Sequence, residues 1–128
     1  MDYQSLIAKA MEARKQAYAP YSDFAVGAAL LGKSGRVYTG CNVENASYGL
    51  STCAERVAVF KAVSEGERDF VAIAVVTEKG VTPCGACRQV LMEFGGDIQV
   101  IVADAAGEYR VFALRELLPD AFTPKNLR

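Results

Sequence analysis

From Asp2 to Ala19 apolar residues recur at helical spacing. Leu6, Ala10 and Ala17 share a side with Ile7, Met11 and Tyr18, while Lys9, Glu12 and Lys15 face away. Pro20 has no amide hydrogen to carry the ladder on, and it ends this predicted helix. The pattern then changes. "FAVGAALLG" and "RVYTGCNV" read as two strands joined by the turn residues "GKSG", a hairpin. A second helix is predicted from about Thr52 to Ser64, ending near Gly66. "DFVAIAVVTE" is nearly all apolar and rich in β-branched residues, as a centrally buried strand requires. Thr82 and Pro83 suit the N-cap and first position of a third helix, "CGACRQVLMEFG", which stops at Gly95–Gly96.

Two further strands, "IQVIVAD" and "YRVFAL", are separated by only "AAGE", a connection long enough for an antiparallel pair and too short for a parallel crossover. The second and third helices each bridge two strands, as a βαβ unit does. The expected fold is α/β: a three-layer α/β/α sandwich around a five-stranded mixed sheet, with residues 1–128 forming one domain. The tail "LLPDAFTPKNLR", with two prolines and a lone phenylalanine, has no evident place in the core.

Composition removes whole classes of function. The chain has 128 residues, 52% of them hydrophobic, and a formal net charge of -1. Such a chain folds, and disorder is excluded. Lysine and arginine occur singly, without the basic stripe that tracks a phosphate backbone, so a nucleic-acid partner is not expected. The first helix carries Asp, Lys, Glu and Arg among its apolar residues. It is no signal peptide, and no apolar run reaches membrane-spanning length. The expected setting is the cytoplasm, without a membrane partner, where Cys41, Cys53, Cys84 and Cys87 stay reduced. Histidine is absent, so a transition-metal site must be built from thiolates and carboxylates.

"PCGAC" places Cys84 and Cys87 at a helix start, and "STCAER" places Cys53 at the start of the preceding crossover helix. Successive crossover helices begin at one edge of such a sheet, so the three thiols can converge there. Both helix dipoles favour the thiolate form. Three thiolates on Zn²⁺ leave one tetrahedral position, which structural sites fill with a fourth ligand and catalytic sites keep for water. Cys41 ends a strand without ligand-like spacing and reads as a small buried residue of the sheet. Glu55, two residues from Cys53, has two readings. Its spacing from Thr52 fits a capping box, and its position beside a ligand fits a proton carrier.

"CAE" followed by "PCGAC" resembles the signature of the zinc-dependent nucleoside and nucleobase deaminases. That family includes a three-cysteine variant, in which a glutamate that is not a zinc ligand acts as general acid and base. The resemblance runs from "PYSDFAVGAAL" through "GCNVENASYGLSTCAER" and "PCGACRQVL" to "ELLPDAF", and it matches the small homotetrameric cytidine deaminases. It implies one Zn²⁺ per chain on Cys53, Cys84 and Cys87. It also implies hydrolysis of cytidine and 2′-deoxycytidine to uridine and 2′-deoxyuridine with release of ammonia, a reaction of pyrimidine salvage. Glu55 would carry protons between water, ring N3 and the departing amine. Arg56 would draw charge off the sulfurs, because three thiolates more than neutralise the metal. Asn42 and Glu44 would bind the ribose 3′-hydroxyl, and Phe24 would pack on the pyrimidine unless it is an ordinary core aromatic. The backbone at Ala54 would read the base. Phe122 would enter a neighbouring subunit's site, with Tyr48 in the same shared wall.

Rival readings remain. Deaminases of tRNA or single-stranded DNA normally carry histidine where this chain has Cys53, and they need a cationic surface. Blasticidin-type deaminases share the three cysteines but not "NVEN". A structural zinc module would close the fourth position, and a redox protein would cycle "PCGAC" without zinc.

Overall fold

Strand β3 (Phe70–Val76) is buried on both faces and forms the centre of the molecule. Ala72, Ala74 and Val76 point to one side and Ile73 and Val75 to the other, so an uninterrupted apolar run serves two cores. The computed structural model describes residues 1–127; Arg128, the last residue of the tail, lies outside them. The five strands lie in the order β2-β1-β3-β4-β5, with β1 at Gly27–Gly32, β2 at Val37–Cys41, β4 at Gln99–Ala103 and β5 at Tyr109–Ala113. Strand β1 is antiparallel to both its neighbours, β3 and β4 are parallel, and β5 returns antiparallel. This is the expected mixed sheet with helices on both faces.

Helix α1 (Tyr3–Arg14) covers one face through Leu6, Ile7 and Ala10, against Ala29, Ala72, Ala74, Val76, Ile101 and Ala103. The small residues let the helix lie close. A Cβ on Gly27 would stand only 2.0 Å from the Ala10 carbonyl oxygen. Helices α2 (Ala54–Ser64) and α3 (Gly85–Met92) share the other face, over Ala28, Leu30, Ile73, Val75, Val100 and Val102. They share it because both crossovers, β2 to β3 and β3 to β4, step the same way across the sheet, and such connections are right-handed.

Four expectations need correction. Helix α1 ends at Arg14, before Pro20, because the chain turns out to pair with the loop after β2: Tyr18 N–H donates to Asn42 O at 2.9 Å, and Glu44 N–H to Tyr18 O at 2.8 Å. Thr52 does not cap α2. It exchanges backbone hydrogen bonds with Val43, and Cys53 is the N-cap, so the capping-box reading of Glu55 is overturned. Likewise Cys84, not Thr82, is the N-cap of α3, and Pro83 precedes it. The tail does reach the core: Leu117, the last residue of the short helix α4 (Leu114–Leu117), packs with Leu118 and Ala121 against the α2–α3 side.

Candidate metal centre and active site

Strands β2, β3 and β4 run in one direction, so the chain leaves β2 and β3 at the same edge of the sheet and begins α2 and α3 there. The start of α2 is seated on β2 at Gly40, where a Cβ would come within 2.5 Å of Ala54 O and 2.7 Å of Ala58 N. Only glycine lets the two backbones meet at that distance. The loop from Asn42 to Thr52 is tied down by Val43, which bridges to Tyr18 on one side and Thr52 on the other.

Three sulfurs converge at this edge. Cys53 and Cys84 are the N-caps of their helices, and Cys87 lies three residues on, in the first turn of α3. Sγ of Cys84 is 3.4 Å from Cys87 and 3.9 Å from Cys53, and all three sulfurs lie within 4.8 Å of one another. A tetrahedral zinc with Zn–S bonds of about 2.3 Å separates its sulfurs by about 3.8 Å, so the donor set fits that metal in chemistry and in size. Cys41 is not in the cluster. It ends β2 opposite Gly27 and, by the alternation of the strand, faces α1; it is only half-buried, more exposed than expected.

The thiols hold their protons unequally. A hydrogen bond from Cys87 favours the thiolate of Cys53, burial opposes it, and Arg56 adds to the favourable side, leaving Cys53 below the ordinary thiol value. The same pairing and its own burial push the Cys87 thiol up. Arg56 Nη2 donates to Cys53 Sγ at 3.3 Å. Glu55 occupies the first turn of α2 and is only 5% exposed. Burial raises its carboxyl to about 7, its own backbone N–H opposes this, and the Cys53 thiolate pushes it higher.

A cleft of about 620 Å³ opens over these groups. It is lined by Phe24, Asn42, Glu44, Tyr48, Cys53, Glu55, Arg56 and Cys84 together with Ser22, Thr77, Val81 and Thr82. Phe24 is 44% exposed and walls the cleft, which removes the reading as a core aromatic. Asn42 is buried, and its amide spans the entry to β1: Nδ2 donates to Phe24 O at 2.7 Å and Oδ1 accepts from Val26 N at 2.9 Å. Glu44 accepts from Tyr21 N at 3.0 Å, Ser22 N at 3.1 Å and the Ser22 hydroxyl. Ala54 is fully buried, backbone included, and is not among the residues lining the cleft, although it stands between Cys53 and Glu55 at the start of α2. Tyr48 is 77% exposed at the rim. Phe122 is not among the residues lining its own chain's cleft; it is 58% exposed, with its carbonyl held by Gln89 Nε2 at 2.9 Å.

Two neighbours of the site carried no sequence reading. Ser22 lies in "PYSDF", and only the tertiary pairing with Glu44 marks it. Arg88 follows Cys87 in "PCGACRQ", where it looks like a surface cation of a helix.

Residues 1–104 match the family model described as the cytidine and deoxycytidylate deaminase zinc-binding region. The chain is 55% identical to the cytidine deaminase of Halalkalibacterium halodurans, an alignment covering 99% of this chain and 98% of that one. It is 52% identical to the cytidine deaminase of Sporosarcina psychrophila, over 99% of this chain and 96% of the other. Among solved structures, the cytidine deaminase of Burkholderia pseudomallei superposes with a TM-score of 0.92 at 53% identity, covering 95% of this chain and all of that one. That of Mycobacterium tuberculosis gives 0.84 at 46%, covering 95% and 98%.

Proposed function

The chain belongs to the zinc-dependent cytidine deaminase family, and we infer that it hydrolyses cytidine and 2′-deoxycytidine to the corresponding uridines with release of ammonia. One observation carries the reading. Three thiols within 4.8 Å of one another stand beside a carboxyl that is 5% exposed, at the base of a cleft of nucleoside size. Cys53, Cys84 and Cys87 would hold one Zn²⁺, and a bound zinc supplies a water that ionises near neutral pH. The position of Cys41, facing α1, supports a fourth coordination position free of protein and disfavours a structural zinc module.

Glu55 is the proton carrier in this reading. A carboxyl raised to about 7 is half-protonated near neutrality, which suits a group that must accept a proton from water and give it to ring N3 and then to the leaving amine. Arg56 withdraws charge from Cys53. Phe24 offers its exposed ring to the pyrimidine. Asn42 keeps one amide hydrogen, and Glu44 keeps acceptor capacity, for a sugar hydroxyl. The backbone at Ala54, between Cys53 and Glu55 at the start of α2, would read the base. A site that must satisfy Asn42 and Glu44 would reject bare cytosine, because those groups would be left without the sugar.

Tyr48 and Phe122 are exposed apolar residues near or beyond the cleft rim, which supports a homotetramer in which neighbouring chains complete one another's sites. We place the protein, as a single domain, in cytoplasmic pyrimidine salvage; its four cysteines are all free, as a reducing compartment would keep them. No helix among the described residues is long and apolar enough to cross a membrane.

The test is direct. Purified chain with one equivalent of zinc should abolish the cytidine absorbance, and a zinc-loaded chain that leaves the absorbance unchanged sinks the reading. A solution mass measurement tests the tetramer.

A further inference from the structure

Cys84 is the most exposed of the three thiols, and the chain leading to it has no strand or helix to hold it. As N-cap of α3 it receives no side-chain capping bond. Pro83, just before it, has no N–H to offer. A ligand on a loose turn would not keep its sulfur in place, so something else must hold the approach to Cys84.

The approach is pinned from two sides. Thr77 Oγ1 accepts from Gly80 N at 2.9 Å and Val81 N at 3.1 Å. From Thr82 onward the holder is Arg88. Its Nη2 donates to Thr82 Oγ1 at 2.8 Å, its Nε to Pro83 O at 2.8 Å, and its backbone N–H to Cys84 O at 3.0 Å. The remaining arm, Nη1, reaches across to Leu117 O at 2.7 Å, at the end of α4. That oxygen is one of the last-turn carbonyls that a helix leaves unpaired. The guanidinium thus spends three nitrogens on three acceptors in two distant stretches of chain. Its planar fork fixes their relative directions, which a lysine's single ammonium could not do. Gln89, the next residue, holds Phe122 O, so residues 88 and 89 fasten both ends of the 117–122 segment to the metal-holding turn.

We propose that Arg88 is a positioning residue of the zinc site: through Thr82 and Pro83 it holds Cys84 in coordinating position, and through Leu117 it locks that turn to the C-terminal segment. The proposal deepens the deaminase reading and rests on it for the identity of the metal.

The test is zinc transfer from the loaded enzyme to a coloured chelator, well below the melting temperature. R88K should release zinc roughly tenfold faster while remaining folded by circular dichroism. Leu6→Ala, a buried change on the opposite face of the sheet, supplies the control for general destabilisation. It should lower the melting temperature without matching that release. Zinc loss from R88K at the wild-type rate, or no faster than from the Leu6→Ala variant, overturns the proposal. Should R88K fail to fold, Thr82→Val decides, removing one acceptor at nearly constant volume. Roughly threefold faster release supports the role, and an unchanged rate overturns it. Zinc transfer does not depend on turnover, so a wild-type chain that left cytidine intact would sink the deaminase reading and leave this comparison to decide on Arg88.

Discussion

Arg56 Nη2 donates to Cys53 Sγ at 3.3 Å, while the Nε of the same guanidinium is buried without a partner among the described residues. A cation in the first turn of a helix faces the positive end of the dipole and is mildly disfavoured there. The Cys53 sulfur repays that cost: their hydrogen bond favours the charged form of both groups. Arg56→Gln keeps a donor of similar reach and loses the charge. Zinc affinity and turnover should each fall roughly 10- to 100-fold. Competition titration against a chelator of known strength measures the first. Unchanged values in both assays would reduce Arg56 to packing.

Glu55→Gln preserves the shape of the buried side chain and removes its proton traffic. The turnover number for cytidine should drop by roughly 10²- to 10⁴-fold. Zinc content should stay at one per chain, because the carboxyl lies outside the trio of thiols. A variant with near-normal turnover would take the proton role away from Glu55.

Gly40→Ala tests whether the site depends on the seating of α2. The added methyl would meet Ala54 O at 2.5 Å and Ala58 N at 2.7 Å, both backbone atoms that cannot rotate away. Stability should fall by about 1–3 kcal/mol, read as a lower melting temperature. Zinc binding should weaken as well, since α2 carries Cys53 at its start. A melting temperature equal to that of the natural chain would show that the contact can relax freely.

Glu44 accepts from Ser22 twice and from Tyr21 once, and these bonds, led by the Ser22 hydroxyl, hold its carboxyl below the ordinary 4.5. The sign follows from linkage. A carboxylate depressed in the folded state adds stability that is fully present above its unfolded value and is lost as pH falls through the lower, folded one. The turn at Tyr21–Phe24 should therefore hold through mild acid and loosen only below the usual carboxylate range. A carboxyl-carbon NMR titration locates the midpoint, and Ser22→Ala should raise it. A midpoint at or above 4.5 in the natural chain contradicts this.

Ending the chain at Asp120 removes Phe122, which is 58% exposed and does not line its own chain's cleft. If a neighbouring subunit receives that ring, KM for cytidine should rise roughly three- to tenfold while zinc content stays constant. An unchanged KM in an enzyme of unchanged oligomeric state would leave the Phe122 ring outside any substrate site.

Local chemistry in the chain determined a good deal without help from the fold. The run "DFVAIAVVTE" has polar residues only at its ends, so it had to be buried on both faces, and β3 is. The five residues between β4 and β5 could not span a crossover, and the two strands are antiparallel. The absence of histidine restricted any transition-metal site to sulfur and carboxylate, and "STCAER" with "PCGAC" put three sulfurs at helix starts. Tertiary structure decided what depends on partners distant in the chain. Helix α1 stops at Arg14 because Tyr18 finds Asn42 and Glu44, and Thr52 gives up its cap because Val43 takes its backbone. The work of Arg88 is invisible in one dimension for the same reason: its most distant acceptor, Leu117 O, lies 29 residues away. Periodicity and turn chemistry are short-range and are written along the chain. A hydrogen bond between remote segments is settled only when the fold brings them together, and there it can override a local preference worth about 1 kcal/mol.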